Sequence, residues 1–371
     1  MPDGLVPLFL DAIKIDAPSL KERPMASFVR EFLRGLPVRI IEDDAAQHFN
    51  GECGNIICVP HTCDSSRPTV ALIAHLDTPR STVKVNPIVT EERIRSDGTT
   101  ALGVDNRAGN AVLLYALREH LLSGAEGQCV VVFTVGEELG LYGSKYLDPA
   151  PFHIAMAFVF DCSRRPGTFI QSAVGCSLFD ATFIGKAAHA SVAPERGVNA
   201  IHVAAKALSG IPLGRLSPTM TCNIGMVTGG TATNVIPDRC TLHGEVREFD
   251  GEVLNACLSG IEGSFRAVAS EHKASLEFTS TLDFAPFRLG VNDGVFRWTA
   301  EALRQVGLDP HPIEYLGGSD ANMLNAKGLP TVNLGIGAQN PHGNDEFILV
   351  EDLLKTADIA HAIIARSIAF L

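Results

Sequence analysis

Five short stretches of this 371-residue chain carry side chains that hold cations or move protons. His75 and Asp77 lie in ALIAHLDTP, Asp105 in SDGTTALGVDNRAGNAVLL, and Glu137 and Glu138 in FTVGEELGLYGSKYL. Asp161 lies in FVFDCS and His342 in NLGIGAQNPHGNDE. His75 and Asp77 are two apart, so in extended backbone they face one side. Asp77 can then accept a hydrogen bond from the His75 ring, which fixes the tautomer and raises the basicity of the other nitrogen. Asp105 sits where a loop becomes a helix. There it serves as a helix N-cap, or it bridges two cations with its two oxygens. Adjacent Glu137 and Glu138 repel unless cations neutralise them or one takes a proton. One of them can bind metal while the other takes protons from water.

Each stretch alone has an ordinary reading: a strand-end histidine, a cap, two surface glutamates. Together they gather acids and imidazoles in five stretches, four of them at the ends of apolar runs, and one shared site explains them better than five accidents. Nitrogen and oxygen donors without thiolate suit zinc, with Mn or Co as substitutes. The residues supply the set of groups; they do not say which cation each one serves.

The elements that must position these groups are legible as apolar runs at 70–74, 129–135, 154–160 and 332–336. They are continuous rather than alternating, as for strands covered on both faces. Helical patterns follow at 106–122 and 139–147. Strands alternating with helices imply an α/β fold, a doubly wound mixed sheet with helices on both faces. Ligands in such sheets bind beyond the carboxyl ends of strands.

The middle of the chain reads differently. Strand 178–184, helix 198–208, strands 219–227 and 239–248, helix 251–271 and strand 274–281 follow the β-α-β-β-α-β order of a ferredoxin-like α+β unit. We therefore expect residues 175–285 to be an insertion and residues 1–174 with 286–371 to form one domain. The α/β pattern resumes with a helix at 295–306. Gly and Pro near the junctions suit hinges.

Composition narrows the classes. Hydrophobic residues make up 46% and charged residues 19%, which suits a compact enzyme. The net charge of −12 is spread without blocks, and no basic stripe invites nucleic acid. The N-terminus has an amphipathic spacing at Leu5, Phe9, Ala12 and Ile13 rather than a secretory signal, and no apolar run is long enough for a membrane span. A cytoplasmic protein is therefore expected, and in that compartment nine scattered cysteines without a C-x-x-C pair read as free thiols. The even spacing of Cys53, Cys58 and Cys63 reads as small hydrophobes rather than a metal site.

The stretches AHLDT, SDGTTALGVDNRAG, TVGEELGLYGSKYL, GKAAHASVAPERGVNAI, GGTATNVIPD, GGSDANML and GLPTVNLGIG, in this order, resemble the aminoacylase and carboxypeptidase G clan of di-zinc peptidases and deacylases. Within it the chain is similar to the short peptidase T-like (tripeptide aminopeptidase) branch. The resemblance implies that His75 and Asp161 bind one zinc, Glu138 and His342 the other, and that Asp105 bridges both through a cis Asp105–Asn106 peptide. It implies Asp77 as support for His75 and Glu137 as general base. His189 matches a histidine that holds the developing oxyanion, in the clan often from a partner subunit. Asn234 and Arg247 match positions near substrate, and Asp320 lies in a Gly-rich loop expected to shape the substrate pocket. The inserted domain is expected to act as lid and as the surface of a homodimer. One departure is visible: PHGNDE stands where relatives usually read H-x-x-N-E, which puts the loop contacts beside His342 in question rather than His342 itself.

The implied activity is removal of the N-terminal residue from tripeptides. Fold-mates that deacylate N-acyl amino acids or act as carboxypeptidases share the same metal site, so the ligands alone do not choose among them. A non-catalytic metal-bound scaffold is the remaining alternative, and Glu137 argues against it, because a structural site needs no base.

Overall fold

In the computed structural model the described residues are 4–64 and 66–370. They divide into two compact units. One comprises Ser172–Phe287 with Tyr315–Gly318, and the other is the rest of the described chain.

The larger unit is built on a nine-stranded mixed sheet. Its central run places the strands Val38–Glu42, Ile56–Pro60, Cys129–Thr134, Thr69–His75, Ile154–Cys162, Thr331–Gly335 and Thr168–Ala173 side by side in that order. The inner four, from Cys129–Thr134 to Thr331–Gly335, run parallel to one another. The apolar runs seen in the sequence become these strands, and every residue of Thr69–His75 and of Cys129–Thr134 is buried. A strand packed on both faces has no side for polar groups, so the acids and imidazoles are displaced to the strand ends. The helix Val104–Ser123 packs on Thr69–His75 and against the helices Leu5–Ala12 and Val350–Arg366. It is interrupted at Asp105 (φ −83, ψ 103) and Asn106 (φ −120, ψ 42), whose shared peptide bond is cis.

One expected helix is much shorter than its sequence pattern. The reading spanned 139–147, whereas the helix is Tyr142–Tyr146. Gly136 (φ 61), Gly140 (φ 142) and Leu141 (φ 58) take left-handed backbone, which no helix accommodates. A tight turn therefore replaces the first helical turn and presents Glu137 and Glu138.

The smaller unit has the β-α-β-β-α-β order. Its antiparallel sheet orders the strands Thr221–Gly229, Arg239–Glu248, Gly175–Ile184 and Ser275–Phe284, with a short strand, Gly214–Arg215, outside the first. Arg239–Glu248 pairs with Gly175–Ile184 without a break in register. The helices Ala200–Ser209 and Gly251–Glu271 cover one face, and the core gathers Phe179, Phe183, Val203, Leu254, Ile261 and Phe265. Asn199 and Asp250 cap the two helices by accepting from His202 N and from Glu252 N and Val253 N. All nine cysteines are free, with Cys53 and Cys58 buried, and no helix among the described residues is long and apolar enough to cross a membrane.

Candidate metal centre

The parallel strands end on one edge of the sheet, and groups from five separate segments converge there, His342 from the loop after the strand Thr331–Gly335. His75 is the last residue of its strand, Asp161 the second-last of the neighbouring strand, and Glu137 and Glu138 follow the strand Cys129–Thr134 on a turn. Asp105 enters from the interrupted start of its helix. Gly109 makes that approach feasible: a Cβ there would lie 2.6 Å from the Phe160 carbonyl oxygen, so only glycine lets the helix come this close to the strand carrying Asp161.

Asp105 divides its carboxylate between two imidazoles. Its Oδ1 lies 3.0 Å from His75 Nε2, and its Oδ2 lies 3.3 Å from His342 Nε2. On the first side, Asp161 Oδ1 is 3.1 Å from the same His75 nitrogen; on the second, Glu138 Oε1 is 3.4 Å from His342 Nε2. Two three-residue groups result, His75–Asp105–Asp161 and Asp105–Glu138–His342, each with its donor atoms within 4.8 Å of one another. Glu137 joins a third such group with His75 and Glu138.

Charge explains why this arrangement suits cations. Four carboxylates surround two imidazoles, so negative charge is in excess. Burial pushes the carboxyls of Glu137, Glu138 and Asp161 above the ordinary range, with neighbouring acids adding to the effect and His75 opposing it. Burial would also raise Asp105, but His342 and His75 prevail and hold it well below its usual value. His75 is raised despite its burial by Asp105, Asp161 and Asp77, and His342 is raised to about 10 by Asp105 and Glu138. The protons drawn onto both rings stand where positive charge is needed. Glu138 Oε1, buried, has His342 Nε2 at 3.4 Å as its ion-pair partner. Nitrogen and carboxylate donors converging in two sets around one shared acid fit a pair of divalent cations.

Supporting contacts surround these groups. His75 Nδ1 lies 3.3 Å from Asp77 Oδ1 and 3.1 Å from the Asp77 carbonyl, so Nε2 is left to face Asp105 and Asp161. Three supports were not singled out in the sequence. Asn333 and Asn106 donate to opposite oxygens of Asp161, at 3.4 and 3.3 Å. Glu346 accepts from Gly103 N at 2.6 Å and from Asp105 N at 3.1 Å. The signal for Asn333 was present as a lone amide inside an apolar strand. Glu346, in the departing PHGNDE motif, is 1% exposed and ties that loop to Asp105.

Three of the remaining sequence candidates belong to the smaller unit. His189 and Asn234 belong to the smaller unit and are exposed. His189 stands on a two-stranded ribbon that pairs it with Val235, and Ala190 N donates to the Asn234 carbonyl at 2.9 Å. Arg247, in the same unit, is half-buried, bonded to Glu245 at 3.0 and 3.1 Å, with its guanidinium over the Phe284 ring. Asp320 belongs to the larger unit, opens the helix Asp320–Ala326, and its charge acts on Glu137. It is 1% exposed, it accepts from Thr134 Oγ1 at 2.6 Å, and burial pushes its carboxyl up to about 6. In this position it supports the end of the strand Cys129–Thr134.

Comparison with known proteins decides the family. The chain is 32% identical over 360 residues to the uncharacterized protein YqjE of Bacillus subtilis, covering 97% of each. It superposes on the crystal structure of aminopeptidase PepT from Bacillus cereus with a TM-score of 0.87, 32% identity and 98% of each chain covered. A tripeptidase from Staphylococcus aureus gives 0.90, with 33% identity over 98% of this chain and 97% of the other. This chain belongs to the peptidase T-like branch of the M20 peptidases. Residues 173–273 of this M20 peptidase match the peptidase dimerisation domain, and residues 85–170 match the M42 glutamyl aminopeptidase family.

Proposed function

We propose that this M20 peptidase is a two-zinc aminopeptidase that hydrolyses short peptides and releases the N-terminal residue of tripeptides. The observation that carries the two-metal reading is Asp105, with one oxygen turned to each imidazole group. On this reading His75 and Asp161 hold one ion, Glu138 and His342 the second, and Asp105 both. The bound ions would polarise the scissile carbonyl and acidify water by Lewis-acid chemistry. Manganese or cobalt would serve the same donors.

Glu137 is the general base. Its carboxylate takes one proton from the attacking water as that oxygen bonds to the carbonyl carbon. It delivers the proton to the leaving nitrogen as the C–N bond breaks. His189 is assigned to the developing oxyanion. Ser191 N and Oγ lie 3.3 and 3.2 Å from His189 Nδ1, which engages that nitrogen and leaves Nε2 for that task. Asn234 and Arg247 are assigned to substrate, Arg247 only if it exchanges its Glu245 partner. The smaller unit is proposed to pair two subunits, which the match to the dimerisation domain supports. Nine free thiols suit a reducing, cytoplasmic compartment.

The relatives named an aminopeptidase and a tripeptidase support this substrate. A panel of free tripeptides, dipeptides, N-acyl amino acids and N-blocked peptides tests it. Cleavage of free tripeptides with release of the first residue is expected. Cleavage of blocked substrates alone would transfer the chain to the deacylase or carboxypeptidase reading, and no cleavage of any would revive the scaffold reading.

A further inference from the structure

The turn that carries Glu137 and Glu138 lies outside regular secondary structure, so its backbone donors need partners from elsewhere. Four consecutive N–H groups find them in side chains. Val135 N donates to Asn55 Oδ1 at 3.2 Å and Gly136 N to Glu22 Oε1 at 3.0 Å. Glu137 N and Glu138 N then donate to Asp77 Oδ1 and Oδ2, each at 3.2 Å. Three residues far apart in sequence thus form a row of acceptors beneath one turn. Asp77 also supports His75, and Asn55 is fixed by donating to Asp43 Oδ2 at 2.7 Å and to the Gly143 carbonyl at 3.0 Å.

Glu22 has no bond to another side chain among the described residues. It occupies the N-cap position of the helix Arg23–Phe32, yet its side chain makes no capping bond to that helix. It is fully buried and turns instead to Leu20 N, at 2.9 Å, and Gly136 N, with Oε1 accepting both. Its Oε2 has no partner among the described residues. Burying a carboxyl that does not cap its own helix is costly, and a polar group kept at such cost calls for an explanation. The place it acts is also specific. Gly136 has φ 61, and a Cβ there would meet the Tyr142 ring at 3.3 Å, so the hinge residue itself has no side chain to fix its position.

We infer that Glu22 is a positioning residue for the reaction: by holding the Gly136 N–H it sets the turn that aims Glu137. The inference rests on Glu137 being the base. Glu22 touches neither substrate nor the candidate metal ligands' side chains and acts through the backbone of Gly136. A displaced base loses catalytic rate more than substrate affinity, because ground-state binding does not use it.

Two variants separate acceptor from packing. Glu22→Gln keeps a carbonyl oxygen for Gly136 N, whereas Glu22→Met keeps the length and removes the acceptor. With two zinc ions bound, Glu22→Met should lose kcat by about 10- to 100-fold with KM within about twofold, and Glu22→Gln should restore most of the rate. Hydrogen exchange of the metal-free protein gives a second readout. The Gly136 amide should be protected in the unsubstituted protein and in Glu22→Gln, and should exchange faster in Glu22→Met. Unchanged kcat in Glu22→Met, equal losses in both variants, or an unprotected Gly136 amide in the unsubstituted protein would overturn the inference. The last measurement decides the matter even if Glu22→Met does not fold. Glu137→Ala assayed beside them keeps the two assignments apart, since full activity there removes the base reading without moving the exchange of Gly136.

Discussion

Asp105 is the residue whose loss should cost most, because both imidazole groups share it. In Asp105→Ala each cluster loses one oxygen, at 3.0 Å from His75 Nε2 and 3.3 Å from His342 Nε2. Bound zinc should fall below one ion per chain, whereas His342→Ala should retain about one, since His75, Asp105 and Asp161 stay intact. Metal analysis after gel filtration reads this directly, and two ions retained in Asp105→Ala would refute the shared-ligand arrangement. Loss of Lewis-acid stabilisation worth several kcal/mol means a fall in kcat/KM of roughly 10³-fold or more. Glu137→Ala should behave oppositely. It should keep both ions and lose about 10²- to 10⁴-fold in kcat, the range of a general base. Loss of metal and activity together would make Glu137 a ligand.

At the scale of elements, the strands were legible and the turns were not. Val70–Ala74 and its neighbours announced themselves because a strand buried on both faces needs an unbroken apolar run. The polar groups just past those runs identified the edge of the sheet where the site lies. The turn at Gly136–Leu141 escaped because residues distant in sequence hold it: Glu22, Asn55 and Asp77 accept its N–H groups. Periodicity reports what a segment does for itself, and it is silent about acceptors contributed from elsewhere. The bond from Thr134 to Asp320 was illegible for a related reason: its two residues lie far apart in sequence.

One helix contact also has a measurable consequence. His120, near the end of Val104–Ser123, and His361, on Val350–Arg366, are both held below the ordinary histidine range, His120 by burial and then His361, and His361 by burial against weaker pull from Asp358 and Glu119. A depressed folded-state value means that the unfolded chain binds more protons. Stability from the neutral rings is therefore present above the unfolded value, near 6.5, and is lost as pH falls through the lower folded values. Thermal unfolding from pH 7.5 to pH 5 should show a shallower loss of Tm in His120→Gln than in the unsubstituted protein. An equal slope would mean that His120 does not couple folding to protons.

At the scale of the whole molecule, the candidate groups divide between two units. The ligands and Glu137 lie in the larger unit and His189 in the smaller, whose residues fall within the match to the peptidase dimerisation domain. A twofold dimer can complete each site with the partner's histidine, and such an interface predicts complementation. His189→Ala and Glu137→Ala homodimers should each be nearly inactive. Unfolded together and refolded at equal amounts, half of the dimers should be mixed. Each mixed dimer holds one site with its own Glu137 intact and an intact His189 from the other subunit, so roughly a quarter of full activity should return. Dilution below the dimer dissociation constant should then abolish it. Histidine acting within its own chain gives no recovery, because every mixed dimer then has one defect in each site; that result would return His189 to its own subunit and leave the smaller unit as a lid alone.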